Sequence, residues 1–212
     1  MTRLVRALAA LMGLAAVVVF AWIGVTLVWG DPLTARHEAR AQAHLRSELA
    51  RTDNAWKQAP GHGATLRSEA VAFRRGLGEG DAIGTIVIPR IGLHSVVVQG
   101  TAASDLSRGP GHYRMTPLPG SGGTVAIAGH RTTYGQPFRH IDELRRGDTV
   151  ELAMAYGTFR YRVYAERIVD DRDWSIIRRR RFEQVVLSAC HPLYSAAQRI
   201  VVFARLASAE RA

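Results

Sequence analysis

The apolar positions along the chain change period three times. Residues Ala7 to Gly30, ALAALMGLAAVVVFAWIGVTLVWG, carry no charged side chain. About 20 apolar residues at 1.5 Å each cross the hydrocarbon core of a bilayer. The run is too long for the apolar core of a cleaved leader, and Trp29-Gly30-Asp31-Pro32 does not resemble a small-residue cleavage site. It predicts a retained transmembrane helix, with a cleaved signal peptide as the alternative. Trp22 and Trp29 suit the membrane interface, Trp29 the better. Residues 31–80 then lose the apolar run. HEARAQAHLRSELA favours a helix by propensity but offers a poor apolar stripe, which suggests a juxtamembrane helix or stalk. Pro60 to Gly80 mix Gly, Ser and charge and read as a linker, unless part of them packs on the domain as an extra helix. His37, His44 and His62 fall in this stretch and are expected to be solvated.

From about residue 81 short apolar runs alternate with Gly/Pro turns. GTIVIPRIGLHSVVVQG reads as two strands around a Pro-Arg-Ile-Gly turn. GGTVAIAG, Gly122 to Gly129, and DTVELAMA, Asp148 to Ala155, are further strands. After the turn at Tyr156-Gly157 comes a period of two, with Phe159, Tyr161, Val163 and Ala165 on one face. FEQVVLSA and RIVVFARL complete the set, with short helices predicted at Ala103–Leu106 and around Phe138–Leu144. Many short strands with few helices argue a closed or nearly closed β-barrel, with a sandwich as the structural alternative. No internal repeat is present. The expected division is a cytoplasmic 1–6, an anchor 7–30, a juxtamembrane helix and linker 31–80, and a catalytic domain 81–212.

Charge places this domain. Arg3 and Arg6 precede the apolar run and Asp31 follows it, so the positive-inside rule puts the N-terminus in the cytoplasm and the domain outside. The formal net charge of +10 is spread from end to end. That suits an anionic envelope or bilayer, and no helix gathers it into a stripe for nucleic acid. The run Arg178 to Arg181 reads as a solvated loop, with contact to lipid headgroups or an anionic polymer as a second reading. The single cysteine excludes a disulfide scaffold and is unusual in an exported protein.

That cysteine, Cys190, ends the strand VVLSA. His130 ends the strand GTVAIAG, and Arg199 begins RIVVFARL. Strand termini hold side chains rigidly at a rim. A thiol attacks as thiolate, and a histidine both favours that form and protonates a leaving amine. An arginine stays charged and suits an oxyanion or a substrate carbonyl. Read from residue types alone, a buried filler cysteine remains equally open. Cys190-His191 has no chelating spacing, so neither metal nor cofactor is expected.

The chain from about Asp81 to Leu206 resembles the sortases, membrane-anchored cysteine transpeptidases of Gram-positive bacteria, and most of all their actinobacterial class E. The stretches concerned are IGTIVIPRIGLHSVVVQGT, LSRGPGHYRMTPLPG, GGTVAIAGHRTTYGQPF and VVLSACHP…QRIVVFA. The resemblance implies an eight-stranded β-barrel and puts the catalytic histidine on His130, the nucleophile on Cys190 and the arginine on Arg199. It implies cleavage of the Thr–Gly bond in an LAxTG/LPxTG-like sorting signal of a secreted protein. The acyl group would pass through a thioester to an amine of a peptidoglycan precursor or a pilin. Tyr134 matches a position linked to preference for LAxTG. Ala189 stands where the family has Thr, and Val186 where it usually has another Thr, which bears on substrate binding.

The remaining histidines have plainer readings. His191 is turn filler, His112 supports a loop or reaches the cleft, and His94 and His140 are surface or core residues. Two rivals stand beside the transpeptidase. One is a cysteine peptidase that hydrolyses the same intermediate. The other is a membrane-tethered binding or assembly module with a packed Cys190.

Overall fold

The computed structural model describes residues 2–29, 32–59 and 65–212. Gly30, Asp31 and His62 lie outside them, as does the side chain of Trp29. The apolar run lies in one helix, α1 (Thr2–Trp29), whose segment Arg3–Val25 has mean hydropathy 2.5 and no side chain buried in the protein. This is a helix long and apolar enough to be a membrane anchor.

Eight strands close into a barrel in the order β1-β2-β3-β4-β7-β8-β6-β5. They are β1 (Ala82–Ile88), β2 (Leu93–Gln99), β3 (Gly111–His112), β4 (Thr124–Ala128), β5 (Thr149–Met154), β6 (Gly157–Asp170), β7 (Gln184–His191) and β8 (Gln198–Arg211). β2 pairs with β3 and β4 with β7 in parallel; every other neighbour is antiparallel. The Pro-Arg-Ile-Gly turn is a 3₁₀ turn over Pro89–Ile91 that ends on Gly92 at φ +64°, where a Cβ would be strained. A short helix α4 (Ala103–Leu106) and a 3₁₀ turn at Ile141–Glu143 occupy the two predicted helical spots.

Alternation sorts the strands into two faces. Val185, Leu187 and Ala189 of β7 join Val125 and Ile127 of β4 and Ile200 and Val202 of β8 in the barrel interior. Val186, Ala126, Val201 and Phe203 form a separate cluster on the outer face of the same three strands. Burial on both faces explains why these strands read as continuous apolar runs.

Two helices cover the barrel where the sequence suggests stalk and linker. In α2 (Pro32–Gln58), Gln42, Leu45 and Leu49 are buried, and Leu45 and Leu49 cluster with Ala82, Val96 and Val98. Gln42 works like a strand partner: its amide donates to the carbonyls of Val96 and Arg108 and accepts from the Val96 N–H. In α3 (Leu66–Arg75), capped by Thr65, Ala70 and Phe73 enter the main core. Phe73 meets Trp56 edge-on at 5.3 Å and Tyr156 at 5.5 Å between ring centres. α2 is the expected juxtamembrane helix, packed on the barrel instead of standing off as a stalk, and α3 is the extra helix that was the alternative to a linker. Their apolar residues are few, but they fall on one helical face.

Candidate active site

β4, β7 and β8 lie side by side, and their side chains alternate in a shared register. Ala128 pairs with Ser188, and the Gly129 N–H continues the ladder to the Ser188 carbonyl at 3.0 Å. Across the other edge of β7, Cys190 is the direct partner of Arg199. Counting by twos along each strand, His130 follows Ala126 and Ala128, Cys190 follows Val186 and Ser188, and Arg199 precedes Val201 and Phe203. Cys190 and Arg199, a direct pair, therefore point to the outer face of the barrel, and His130 follows two residues past the end of β4 at the same end, on strands about 4.8 Å apart. Each is half-buried. The structure thus brings together the three residues singled out from sequence.

Ala189 goes elsewhere. It is 3% exposed and belongs to the interior cluster, on the opposite face of β7 from Cys190. Its expected contact with substrate is corrected for the side chain; only its backbone borders the cleft. A hydroxyl at this position would enter the apolar interior.

Beyond β4 the chain makes a closed loop and returns, with the Phe138 N–H donating to the His130 carbonyl at 3.0 Å. Phe138 is fully buried, and a Cβ on Gly129 would sit 2.6 Å from its ring. Only glycine at 129 lets the loop close this tightly. Three successive residues, Tyr134, Gly135 and Gln136, have φ of +49°, +70° and +53°. The two non-glycine members hold a left-handed backbone that costs energy and must be repaid by packing. Tyr134 sits against the histidine, with ring centres 5.1 Å apart and planes tilted by 39°. Burial lowers the pKa of His130 below its ordinary 6.5.

The arginine is held by its own loop. Arg199 donates through Nη1 to the carbonyls of Ala196 at 2.8 Å and Gln198 at 2.9 Å. Its Nε and Nη2 have no protein partner among the described residues. A guanidinium fixed in this way keeps donors in hand for an oxygen in the cleft.

Two contributors escaped the sequence reading. Arg131, beside the histidine, is 3% exposed. Its Nη2 pairs with Asp142 at 2.6 Å, its Nε donates to the Arg139 carbonyl, and its Nη1 donates to Nδ1 of His191 at 3.2 Å. Because a guanidinium only donates, His191 accepts at Nδ1 and carries its proton on Nε2. β7 runs through His191, so that ring faces away from Cys190, and the turn-filler reading gives way to a bridge between two loops. Burial, then the nearby Asp142 charge, raises the carboxyl of Glu166 beside this group. The arginine in AGHR was the one available signal, since Asp142 and His191 are remote in sequence. The second contributor is the first part of α2. The His37 ring meets Tyr134 edge-on at 6.1 Å, and the Glu38 carboxylate lies where a side chain on Gly135 would go. Burial lifts the Glu38 pKa to about 7.

The other histidines stand apart. His112 is buried and bonded to Gln99, Thr116 and the Pro117 carbonyl, so it supports β3 and does not reach the cleft. His140 pairs with Glu143 on the surface, and His94 is exposed.

A thiol, an imidazole and a guanidinium at one end of three adjacent strands are the residue types that acyl transfer uses. Comparison with known proteins agrees. The sortase domain family model matches residues 86–207. Sortase D of Bacillus subtilis is 35% identical over 156 residues, 73% of this chain and 72% of that protein. The solved Sortase D5 transpeptidase of Clostridium perfringens superposes with a TM-score of 0.62 at 25% identity, over 76% of this chain and 99% of that one. Sortase E from Streptomyces avermitilis superposes at 0.58 with 31% identity, over 64% and 93%. Class D and class E relatives both match, so the likeness does not single out class E. With the barrel, the shared strand end and the family match in agreement, this chain belongs to the sortases and is a cysteine transpeptidase.

Proposed function

We propose that this enzyme cuts the Thr–Gly bond of an LAxTG/LPxTG-like signal and passes the protein to an amine of the cell wall or of a pilin. The observation that supports the reading is that His130, Cys190 and Arg199 fall at one end of three adjacent strands, with Cys190 and Arg199 directly paired. His130, its pKa lowered by burial, is largely neutral near pH 7 and takes the thiol proton of Cys190. The sulfur attacks the threonine carbonyl carbon, and Arg199 donates to the oxygen as it gains charge. As the C–N bond breaks, His130 gives its proton to the glycine nitrogen, leaving a thioester on Cys190. An incoming amine attacks that thioester, loses its proton to His130 and restores the thiol. The α1 anchor, with Arg3 and Arg6 in its first turns ahead of the uncharged run, supports a cytoplasmic N-terminus and an extracellular barrel. Tyr134, stacked beside His130, supports a tight subsite that favours Ala over Pro and the class E assignment.

Mass spectrometry of products tests this directly. The full-length protein in detergent, given LAxTG and LPxTG peptides, should form a thioester and release amine-linked product only when an amine is present. Cys190→Ala should form neither, and Arg199→Ala should lose ~3–4 kcal/mol of transition-state stabilisation. Tyr134→Ala should shift the LA/LP ratio of kcat/KM by about tenfold or more. Equal hydrolysis with and without amine would reassign the enzyme as a peptidase.

A further inference from the structure

At the end of the barrel opposite Cys190, α3 and the loop before β7 enclose a groove of about 640 Å³. Four arginines line it: Arg67, Arg74 and Arg75 from α3, and Arg179 from the run Arg178 to Arg181. Val71 and Met115, 42% and 69% exposed, give it apolar walls. No acid lines it. Carboxylates on neighbouring segments have other partners: Glu69 faces Arg211, Glu79 faces Arg114, and Glu183 accepts from the Gly120 and Gly122 amides and from Tyr161. Arg67, Arg75 and Arg179 form no salt bridge among the described residues. Four like charges held together without counter-charge favour an anion, and the guanidinium fork matches phosphate oxygens.

We propose that this groove binds a polymer of phosphodiesters joined by short carbon units, and so docks the enzyme on an anionic polymer of the cell envelope. An open groove with charges spread along it suits a repeating anion, and Val71 and Met115 suit the carbon between phosphates. Position argues against lipid headgroups. Two residues separate α1 from α2, which has His37 and Glu38 near the end where Cys190 lies and carries the chain about 36 Å from Pro32 to Trp56 beside α3. The groove is thus at the end of α2 remote from the anchor. No aromatic ring lines it to stack a nucleobase.

Fluorescence anisotropy on the full chain in nanodiscs of zwitterionic lipid tests the assignment, with a labelled poly(glycerol phosphate) oligomer as probe. R67Q/R75Q/R179Q should weaken binding about tenfold or more and lower the salt slope by about 2, at about 0.7 per lost phosphate contact. A control of equal charge loss on other exposed arginines, R40Q/R51Q/R172Q, should change binding less than about twofold. R179Q alone, a change at an exposed side chain, should fall between. Peptide turnover should be unchanged in all three. Equal losses in both triple variants would reduce the groove to diffuse charge and overturn the proposal. So would groove-dependent binding of anionic vesicles or of an oligothymidylate of equal charge that matches or exceeds binding of the polymer.

Discussion

A single side chain, Arg131, directly after His130, ties its loop to His191, the residue after the cysteine. Its three partners are Asp142, the Arg139 carbonyl and His191, so we read its part as positioning. Arg131→Met should lower the single-turnover acylation rate about tenfold to a hundredfold, since small misplacements of reacting groups are costly. KM should move little. Arg131→Lys keeps the charge but not the three-way fork, and should recover unfolding free energy more fully than rate. Parallel losses of stability and rate in both variants would make the residue merely structural. The legibility of the site follows the same physics. Cys190, His130 and Arg199 stood out because each lies at one end of a run of apolar residues, and strand ends can hold side chains at a rim. Arg131 was not, because its meaning lies in Asp142 and His191, which only the closed barrel brings near. Ala189 was misread because a neighbour in sequence points the opposite way on a strand.

At the level of elements, the strands announced themselves and the covering helices did not. β5 alternates throughout and β6 as far as Val163; a bulge between Val163 and Ala165 then breaks the period, and Ala165, expected on the face of Phe159, Tyr161 and Val163, packs against the outer cluster. β3 has two residues and no period to detect; its pairing with β2 and β4 is set by the fold around it. α2 and α3 are mostly polar, and their few apolar residues contact a barrel formed far along the chain. Gln42 is the sharpest case, a polar residue buried because a strand edge offers it backbone partners. Phe73→Ala should show how much α3 matters. The ring is 4% exposed between Trp56 and Tyr156, and its loss should cost ~3–5 kcal/mol in urea unfolding. Peptide turnover by the folded fraction should remain near normal, because α3 sits at the end away from Cys190. A loss below ~1 kcal/mol would mean that α3 adds little to the barrel.

The molecule as a whole is a closed sheet, and closure buries polar groups that an open sheet would leave wet. His112 is the clearest of them. Burial first, and then the charge of Arg74, push its pKa from 6.5 down to about 4, against a raising bond from Pro117. The folded barrel therefore holds it neutral where the unfolded chain would protonate it. No stability is lost above pH 6.5. Between there and pH 4 each fall in pH favours the unfolded chain, by ~2 kcal/mol at pH 5. Denaturant titrations at pH 7 and pH 5 should show that loss, and His112→Gln should flatten it. An equal acid loss in the variant would assign the effect to other groups.

The junction of α1 and α2 has a consequence for kinetics. Only residues 30 and 31 separate the helices, so their ends lie within about 11 Å of each other. α2 then rests its first turns on the loop beside the histidine. A catalytic face leashed this closely to a bilayer searches a thin layer instead of a volume. A partner held in the same membrane meets it at an effective concentration on the order of millimolar, with no added affinity. A freely diffusing peptide gains nothing from the leash. For such an enzyme a weak KM measured in solution is compatible with full occupancy at the surface where it works.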